Sequence, residues 1–143
     1  MARYFINVMR LQNWRVDHDN KLQLIAIGEG KLKFASKFKA GDKIITYVSS
    51  RKSCFVGIRT IVTGELKSSR RDLGYDEPYF NYIETKAEIV LPEEKWVPIK
   101  SILEKLEVTK GKKYWMNMFM GAFKEITMKD YNFLERRLKL AHK

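Results

Sequence analysis

The fold is decided by residues 41–66, which read GDKIITYVSSRKSCFVGIRTIVTGEL. Gly41 and Asp42 form a turn signal before the β-branched and aromatic run at residues 44–48. Polar residues at 49–53 then interrupt the apolar pattern, and a second, alternating run follows them. This order predicts two strands that are joined by a short polar turn.

The two runs distribute their apolar side chains differently. The first run is apolar on both faces, which predicts a strand in the centre of a sheet. The second run alternates, which predicts one buried face and one face in water. The alternation places Val56, Ile58, Val62 and Leu66 on the buried face, and Arg59, Thr63 and Glu65 on the wet face. A hairpin of this kind is not stable alone, so the rest of the chain must supply more strands or a covering helix.

The same patterns predict further strands and helices. The strands fall at residues 3–9, 22–27 and 79–91, and the short helices at residues 11–16, 34–38 and 99–106. Residues 67–78 are predicted as a loop from their serines, glycine, proline and mixed charges. A last helix begins after Thr127, which forms a capping-box pattern with Asp130.

Composition limits the class of protein. The 143 residues contain 45% hydrophobic residues, which predicts a single folded domain spanning residues 1–143. No apolar run approaches the roughly 20 residues of a membrane span, and the first ten residues lack a signal-peptide pattern. We therefore expect a cytoplasmic protein that does not enter a membrane.

The charge balance is strongly basic. The chain carries 28 Lys and Arg against 17 Asp and Glu, a net charge of +11. Such a surface favours a polyanionic partner, above all nucleic acid. The alternatives are that the charge serves solubility, or that the domain binds another protein.

Enzyme motifs are missing from the sequence. We find no phosphate-binding loop, nucleophile elbow or metal-ligand spacing, so we predict no cofactor, no metal and no catalytic residues. The lone Cys54 is expected to be a buried apolar residue. His18 lies between Asp17 and Asp19, but adjacent residues cannot easily face one ion together. A nuclease that uses Asp17 or Asp19 stays open as an alternative.

Aromatic residues lie beside positive charge in the segment from residue 110 to residue 119. Lys112 and Lys113 precede Tyr114 and Trp115, and Phe119 follows. Stacking of a base on an aromatic ring contributes about 1–3 kcal/mol, and lysines can hold the phosphates. Two interpretations stay open: these rings stack on a base, or they fill the core.

Taken in order, these motifs resemble the EVE domain, a member of the PUA-like group that is related to YTH and ASCH domains. The resemblance runs nearly end to end. It rests on Tyr4-Phe5-Ile6-Asn7-Val8, Asn13-Trp14, Lys39-Ala40-Gly41-Asp42-Lys43-Ile44 with Tyr47, Val56-Gly57-Ile58 with Gly64, Pro98-Ile99, Leu106-Glu107-Val108, Lys112-Lys113-Tyr114-Trp115, Phe119-Met120-Gly121 and Asp130-Tyr131.

The resemblance implies an α+β, mainly β fold: a small curved β-barrel of five to seven strands, flanked by short helices and a C-terminal helix. It also implies a pocket for one modified base in DNA or RNA. In this chain the pocket would use Asn7, Trp14, Ser49, Ser50, Trp115 and Phe119, and the phosphate contacts would be Arg51, Lys52, Lys112 and Lys113.

The chain departs from the family pattern at two places. Phe5 stands where relatives often carry tryptophan, and Ile25-Ala26 replaces a tryptophan-glycine pair. An aliphatic wall can stack on a base, but it lacks the face-on attraction of an aromatic ring for a partly cationic base. The main alternative is therefore a general RNA-binding module of the same fold without a modified-base pocket.

Overall fold

The computed structural model describes residues 2–49 and 52–143, which form a mostly β-sheet α+β domain. The strands are β1 (Tyr4–Met9), β2 (Leu24–Ile27), β3 (Lys43–Val48), β4 (Cys54–Ile61), β5 (Lys67–Ser68), β6 (Asn81–Val90), β7 (Val97–Pro98) and β8 (Phe123–Ile126). The α-helices are α1 (Leu11–Asp19), α2 (Leu32–Ala35) and α3 (Met128–His142). Short 3₁₀ helices lie at Glu29–Lys31, Glu93–Lys95, Ile99–Ser101, Leu103–Lys105 and Trp115–Phe119.

The strands of the described residues form one curled sheet in the order β2-β6-β4-β3-β1-β8. The short strands β5 and β7 pair at the side with β6 and β4. Strand β1 runs parallel to β3, and the other pairings are antiparallel. The sheet curls into a half-barrel with helices at its sides. This confirms the predicted fold class, including the C-terminal helix.

The hairpin predicted within residues 41–66 forms as β3 and β4, with β3 between β1 and β4. Residues 44–48 of β3 are all buried, as expected for a central strand. The second strand is shorter than predicted, because β4 ends at Ile61. Val62 is 50% exposed and Leu66 is 41% exposed, so neither contributes to the buried face as the alternation predicted.

Close backbone contact explains two of the glycines. A Cβ at Gly57 would lie 2.4 Å from the backbone oxygen of Ile89 on β6. A Cβ at Gly64 would lie 2.1 Å from the backbone oxygen of Phe38. Only a residue without a side chain permits these approaches.

Arg59 is the largest departure from the predicted pattern, since its side chain is 1% exposed rather than in water. Strand β4 lies between β3 and β6, and its residues 55–59 are all buried, so both of its faces are covered and Arg59 does not face water. The guanidinium lies 2.8 Å from the carboxylate of Asp17. It also donates to the Thr46 hydroxyl and to the Leu24 carbonyl. Asp17, which the nuclease alternative would use, is therefore a buried residue of α1.

The helices follow the prediction in place but not always in length. Helix α1 extends to Asp19, three residues further than expected, and residues 99–106 form 3₁₀ turns rather than one helix. The predicted cap of α3 is confirmed, because the Thr127 hydroxyl accepts a hydrogen bond from the Asp130 amide at 3.1 Å. Cys54 is half-buried at the start of β4, where burial raises the pKa of its thiol. No helix among the described residues has the length and apolarity to cross a membrane.

Three apolar clusters hold the domain together. The largest lies between the sheet and α3 and includes Ile6, Leu134 and Leu138. A second lies under α2 around Phe5, and a third under α1 around Trp14. Strand β1 contributes Ile6 to the first cluster and Phe5 to the second, so both of its faces are packed.

Candidate functional site

An open cavity of about 360 Å³ lies where the end of β1 meets several loops. Its wall is built from five parts of the chain: the β1 end and start of α1, β2, the end of β3, the loop before β6, and the segment before β8. The lining residues are Asn7, Val8, Met9, Arg10, Asn13, Ala26, Ser49, Tyr75, Asp76, Glu77, Tyr79, Phe119, Gly121 and Ala122. The volume falls within the roughly 300–1,000 Å³ of sites that bind small molecules.

Asn7 is the polar group of β1 in this cavity. Its side chain is fixed because Nδ2 donates to the Ala122 carbonyl at 2.9 Å. The residue is 4% exposed, and its Oδ1 finds no hydrogen-bond partner among the described residues. An unsatisfied buried acceptor costs about 1–3 kcal/mol, so this amide oxygen is a ready acceptor for an N–H group of a ligand.

Three aromatic rings border the cavity. The Phe119 ring stacks on Tyr47, with centroids 4.5 Å apart and planes 19° apart, so its position is set by the core. The rings of Tyr75 and Tyr79 meet edge to face at 5.6 Å. Tyr79 packs closely over Gly28, where an added Cβ would lie 3.2 Å from the ring. The cavity thus has flat apolar surfaces beside the Asn7 acceptor.

The tyrosine hydroxyls stay protonated. Burial, followed by the nearby carboxylates of Glu77 and Asp76, raises the pKa of Tyr79. Burial and the Asp17 carboxylate raise the pKa of Tyr75. Both phenols are therefore hydrogen-bond donors at neutral pH.

The loop before β6 is tied to the rest of the domain at two points. Asp76 accepts from Arg10 at 3.0 Å and from the Asn13 amide at 2.9 Å, and its own backbone N–H donates to the Asn13 side chain. Tyr75 donates its hydroxyl to Asp17, the buried partner of Arg59. Composition alone predicted a loop in this segment. The hydrogen bonds of Asp76 and Tyr75 fix its position and hold its tyrosines against the cavity.

The structure brings together three of the predicted pocket residues: Asn7, Ser49 and Phe119. Ser49 donates its hydroxyl to the Met9 carbonyl at 3.4 Å, which holds the end of β3 beside the end of β1. Ser50 and Arg51, predicted as a pocket residue and a phosphate contact, lie outside the described residues.

Trp14 and Trp115 do not line this cavity, although we predicted both as walls. Trp14 is 3% exposed and packs with Leu22, Val48 and Val56, because its position on α1 faces the sheet. It borders a separate cavity of about 190 Å³ with Trp96. Trp115 lies behind Phe119, meeting that ring edge to face at 6.3 Å. It supports a wall and does not form one.

The lysines predicted as phosphate contacts are exposed. Lys112 and Lys113 form no ion pair among the described residues, and the Lys113 ammonium lies 5.5 Å from the Tyr114 ring centroid. Lys52 pairs with Glu93 at 3.0 Å on the surface. Lys31, which we did not place at the site, approaches Gly121 at the cavity edge: a Cβ there would lie 3.5 Å from Lys31 Nζ.

Sequence reasoning missed Tyr75, Asp76 and Tyr79 as site residues. The available signal was a long loop that ends in tyrosines, but nothing in the pattern showed that Asp76 bonds to Asn13, which lies 63 residues away. Ala26, in the pair that replaces the family's tryptophan-glycine, does line the cavity, so the wall is aliphatic at that point. Within residues 2–49 and 52–143, no group of three His, Cys, Asp or Glu side chains could hold a metal ion.

No protein-family model matches this sequence, and no curated protein matches it. Solved structures do match its fold. The YTH domain of Mmi1, in a complex with RNA, gives a TM-score of 0.66 at 17% identity, covering 98% of this chain and 79% of that chain. Rpa0253 from Rhodopseudomonas palustris gives 0.65 at 16% identity, covering 97% and 94%.

A third match is human THYN1, solved in a complex with DNA that contains 5-methylcytosine. It gives a TM-score of 0.60 at 14% identity and covers 99% of each chain. At these identities the likeness establishes the fold. The fold of this chain is therefore the one found in YTH domains and in THYN1.

Proposed function

We propose that this domain binds nucleic acid and takes one base into the cavity beside Asn7, where it distinguishes a modified base. The observation that carries the proposal is the buried, unpartnered Asn7 Oδ1 in a cavity bordered by the rings of Phe119 and Tyr79. A base offers the two features that such a site can use, a flat face and an edge with N–H groups.

The arrangement favours a base whose edge donates hydrogen bonds. Asn7 Oδ1 is an acceptor, and the Asp76 and Glu77 carboxylates at the rim are also acceptors. An exocyclic amino group, as in cytosine or adenine, supplies the matching donor. A methyl group on such a base would find apolar contact with Ala26 and Met9, in place of the predicted Trp14 and Trp115 walls.

The charge and the comparisons support a nucleic-acid partner. The net charge of +11 attracts a polyanion, and the matched fold binds RNA in the Mmi1 complex and methylated DNA in the THYN1 complex. We further propose that the chain is an EVE-type member of the PUA-like group and acts by binding, without catalysis.

The test is a binding measurement with labelled oligonucleotides by fluorescence polarisation. The set contains DNA and RNA strands with one central cytosine, 5-methylcytosine, adenine or N6-methyladenine. We expect a preference of about tenfold or more for one base, which corresponds to about 1.4 kcal/mol. Asn7→Ala should remove the preference, while Asn132→Ala, an exposed asparagine on α3, should keep it.

Folding must be checked, since Asn7 also bonds to Ala122 and Phe119 is part of the core. Thermal unfolding of each variant gives that control, and Phe119→Leu offers a second variant that keeps an apolar side chain. Equal binding to every strand, with a steep decrease as salt rises, would instead support the general RNA-binding module.

A further inference from the structure

The segment Trp115–Phe119 and its neighbours have two apolar faces. Trp115, Met118 and Phe119 pack against the main core. Tyr114, Met116 and Met120 project into solvent with exposed fractions of 63%, 62% and 74%. We call Tyr114, Met116 and Met120 the outer apolar face. Single exposed apolar residues are ordinary, but three within seven positions beside a cavity indicate a contact surface.

Cations lie at both ends of this face. Lys112 and Lys113 precede it, and Lys31 lies beside Gly121 at its other end. None of these three lysines pairs with a carboxylate among the described residues. Charge complementarity therefore points to an occupant that combines phosphates with flat apolar groups, as a nucleic acid does.

Met120 is the residue of the outer apolar face that adjoins the cavity. It lies between Phe119 and Gly121, which both line the cavity, and it is the most exposed large apolar side chain of the described residues. Its neighbour Phe119 is fixed by stacking on Tyr47, so Met120 projects from an anchored backbone. An apolar side chain at the mouth of the cavity would contact the bases that remain in the stack when one base enters the cavity.

We propose that the outer apolar face is a wedge for double-stranded nucleic acid, with Met120 entering the base stack as one base leaves it for the cavity. This inference rests on the proposed function and names its substrate as a duplex. Proteins that kink a duplex frequently insert apolar side chains such as methionine between base steps and partly unstack them. Platforms for single strands use aromatic rings instead, and position 120 is not aromatic.

The experiment compares three DNA probes with the same central 5-methylcytosine: a fully paired duplex, a duplex with an abasic site opposite that base, and the single strand. Moving a base out of the stack costs the least free energy when that base is already unpaired. Met120→Ala should therefore weaken binding to the paired duplex by about tenfold or more, and change binding to the other two probes by less than about twofold. Met128→Ala, an exposed methionine at the start of α3, is the matched control.

A second readout follows the opening itself. 2-Aminopurine beside the methylated base should brighten when the wild type binds the paired duplex, and Met120→Ala should reduce that increase. Equal losses on all three probes, no loss on any, or no binding to the duplexes would each overturn the wedge. A strong preference for single-stranded RNA would do the same.

Asn7→Ala separates the two proposals. If Asn7→Ala weakens binding to every probe while Met120→Ala leaves binding to the paired duplex unchanged, the proposed base binding is supported and the wedge is excluded. If Asn7→Ala binds all probes with the affinity of the wild type, the proposed function itself is contradicted, whatever the effect of Met120→Ala.

Discussion

The guanidinium of Arg59 lies 2.8 Å from the carboxylate of Asp17, and each side chain is only 1% exposed. The same carboxylate accepts the hydroxyl of Tyr75, from the loop that borders the cavity. One buried ion pair therefore joins α1, β4 and the cavity wall.

Replacement of Asp17 by Asn should be strongly destabilising. The change leaves the buried Arg59 cation without its counter-charge, and loss of one partner of such a pair costs about 3–5 kcal/mol. Chemical denaturation would measure the free energy of unfolding. Asp19→Asn, on the exposed end of α1, should change it by less than about 0.5 kcal/mol. Similar stabilities for the two variants would contradict the structural role, and metal-dependent cleavage lost only in Asp17→Asn at full stability would revive the nuclease alternative.

Gly64→Ala should destabilise the domain by about 1–3 kcal/mol or more, as in an overpacked core. The new Cβ would lie 2.1 Å from the Phe38 backbone oxygen and 3.1 Å from Lys39 Cα, and neither backbone atom can move cheaply. Thermal unfolding would detect the loss. Gly30→Ala is the control, because a Cβ there meets nothing within 4 Å. The prediction is wrong if both variants unfold at the wild-type temperature.

Gly28→Ala tests the position of Tyr79 at the cavity. The added Cβ would lie 3.2 Å from the ring, which must shift by a few tenths of an ångström. We expect altered Tyr79 ring signals by NMR and weaker binding to the preferred oligonucleotide, with little change in unfolding temperature. Tyr79→Ala removes the ring altogether and should give the largest loss of binding free energy, about 1–3 kcal/mol for one stacking ring. Affinities as strong as those of Gly30→Ala would show that Tyr79 is not a wall for the ligand.

Glu88 should make stability depend on pH in the acid range. Burial acts to raise the pKa of its carboxyl, but hydrogen bonds from Lys43 and Thr60 outweigh this and lower the pKa. A lowered folded-state pKa stabilises the fold above the unfolded value, near pH 4.3, and the gain is lost as pH falls through the folded-state pKa. The gain is about 1 kcal/mol at most, since the pair is partly solvated.

Denaturation of the wild type and of Glu88→Gln between pH 3 and pH 7 would measure this contribution. The difference between them should be constant near neutrality and should shrink in the acid range. Glu94→Gln, an exposed carboxylate without an ion pair in the described part of the chain, should show no such change. A difference that persists unchanged at pH 3 would contradict the assignment.

Most strands and the last helix could be predicted from local patterns, whereas the curved-barrel architecture was implied by the family resemblance. Residues 44–48 are apolar on both faces and form a central strand, and Thr127 caps α3 as its spacing indicated. The pattern failed where tertiary structure overrides alternation. Both faces of β4 are covered, so Arg59, which was predicted in water, is buried beside Asp17. The chain leaves β4 after Ile61, so Val62 and Leu66 do not continue its buried face.

The candidate site was harder to predict, since its residues meet through contacts distant in sequence. Asn7 was identifiable as an amide on an apolar strand, but its partner Ala122 is 115 residues away. Trp14 and Trp115 illustrate the opposite error. A tryptophan beside charge suggests a binding surface, whereas here one ring lies under α1 and the other behind Phe119. Composition cannot separate a ring that forms a wall from a ring that supports one.

The hydrogen bond from Asn7 to Ala122 sets an order of events during synthesis. Strand β1 is made early, but it lies between β3 and β8, and β8 begins only at Phe123. A growing chain must therefore extend beyond Phe123 before this wall of the cavity can form. The site is therefore incomplete until β8 has paired with β1, and a ligand that binds the finished site holds these two strands together and adds to the stability of the fold.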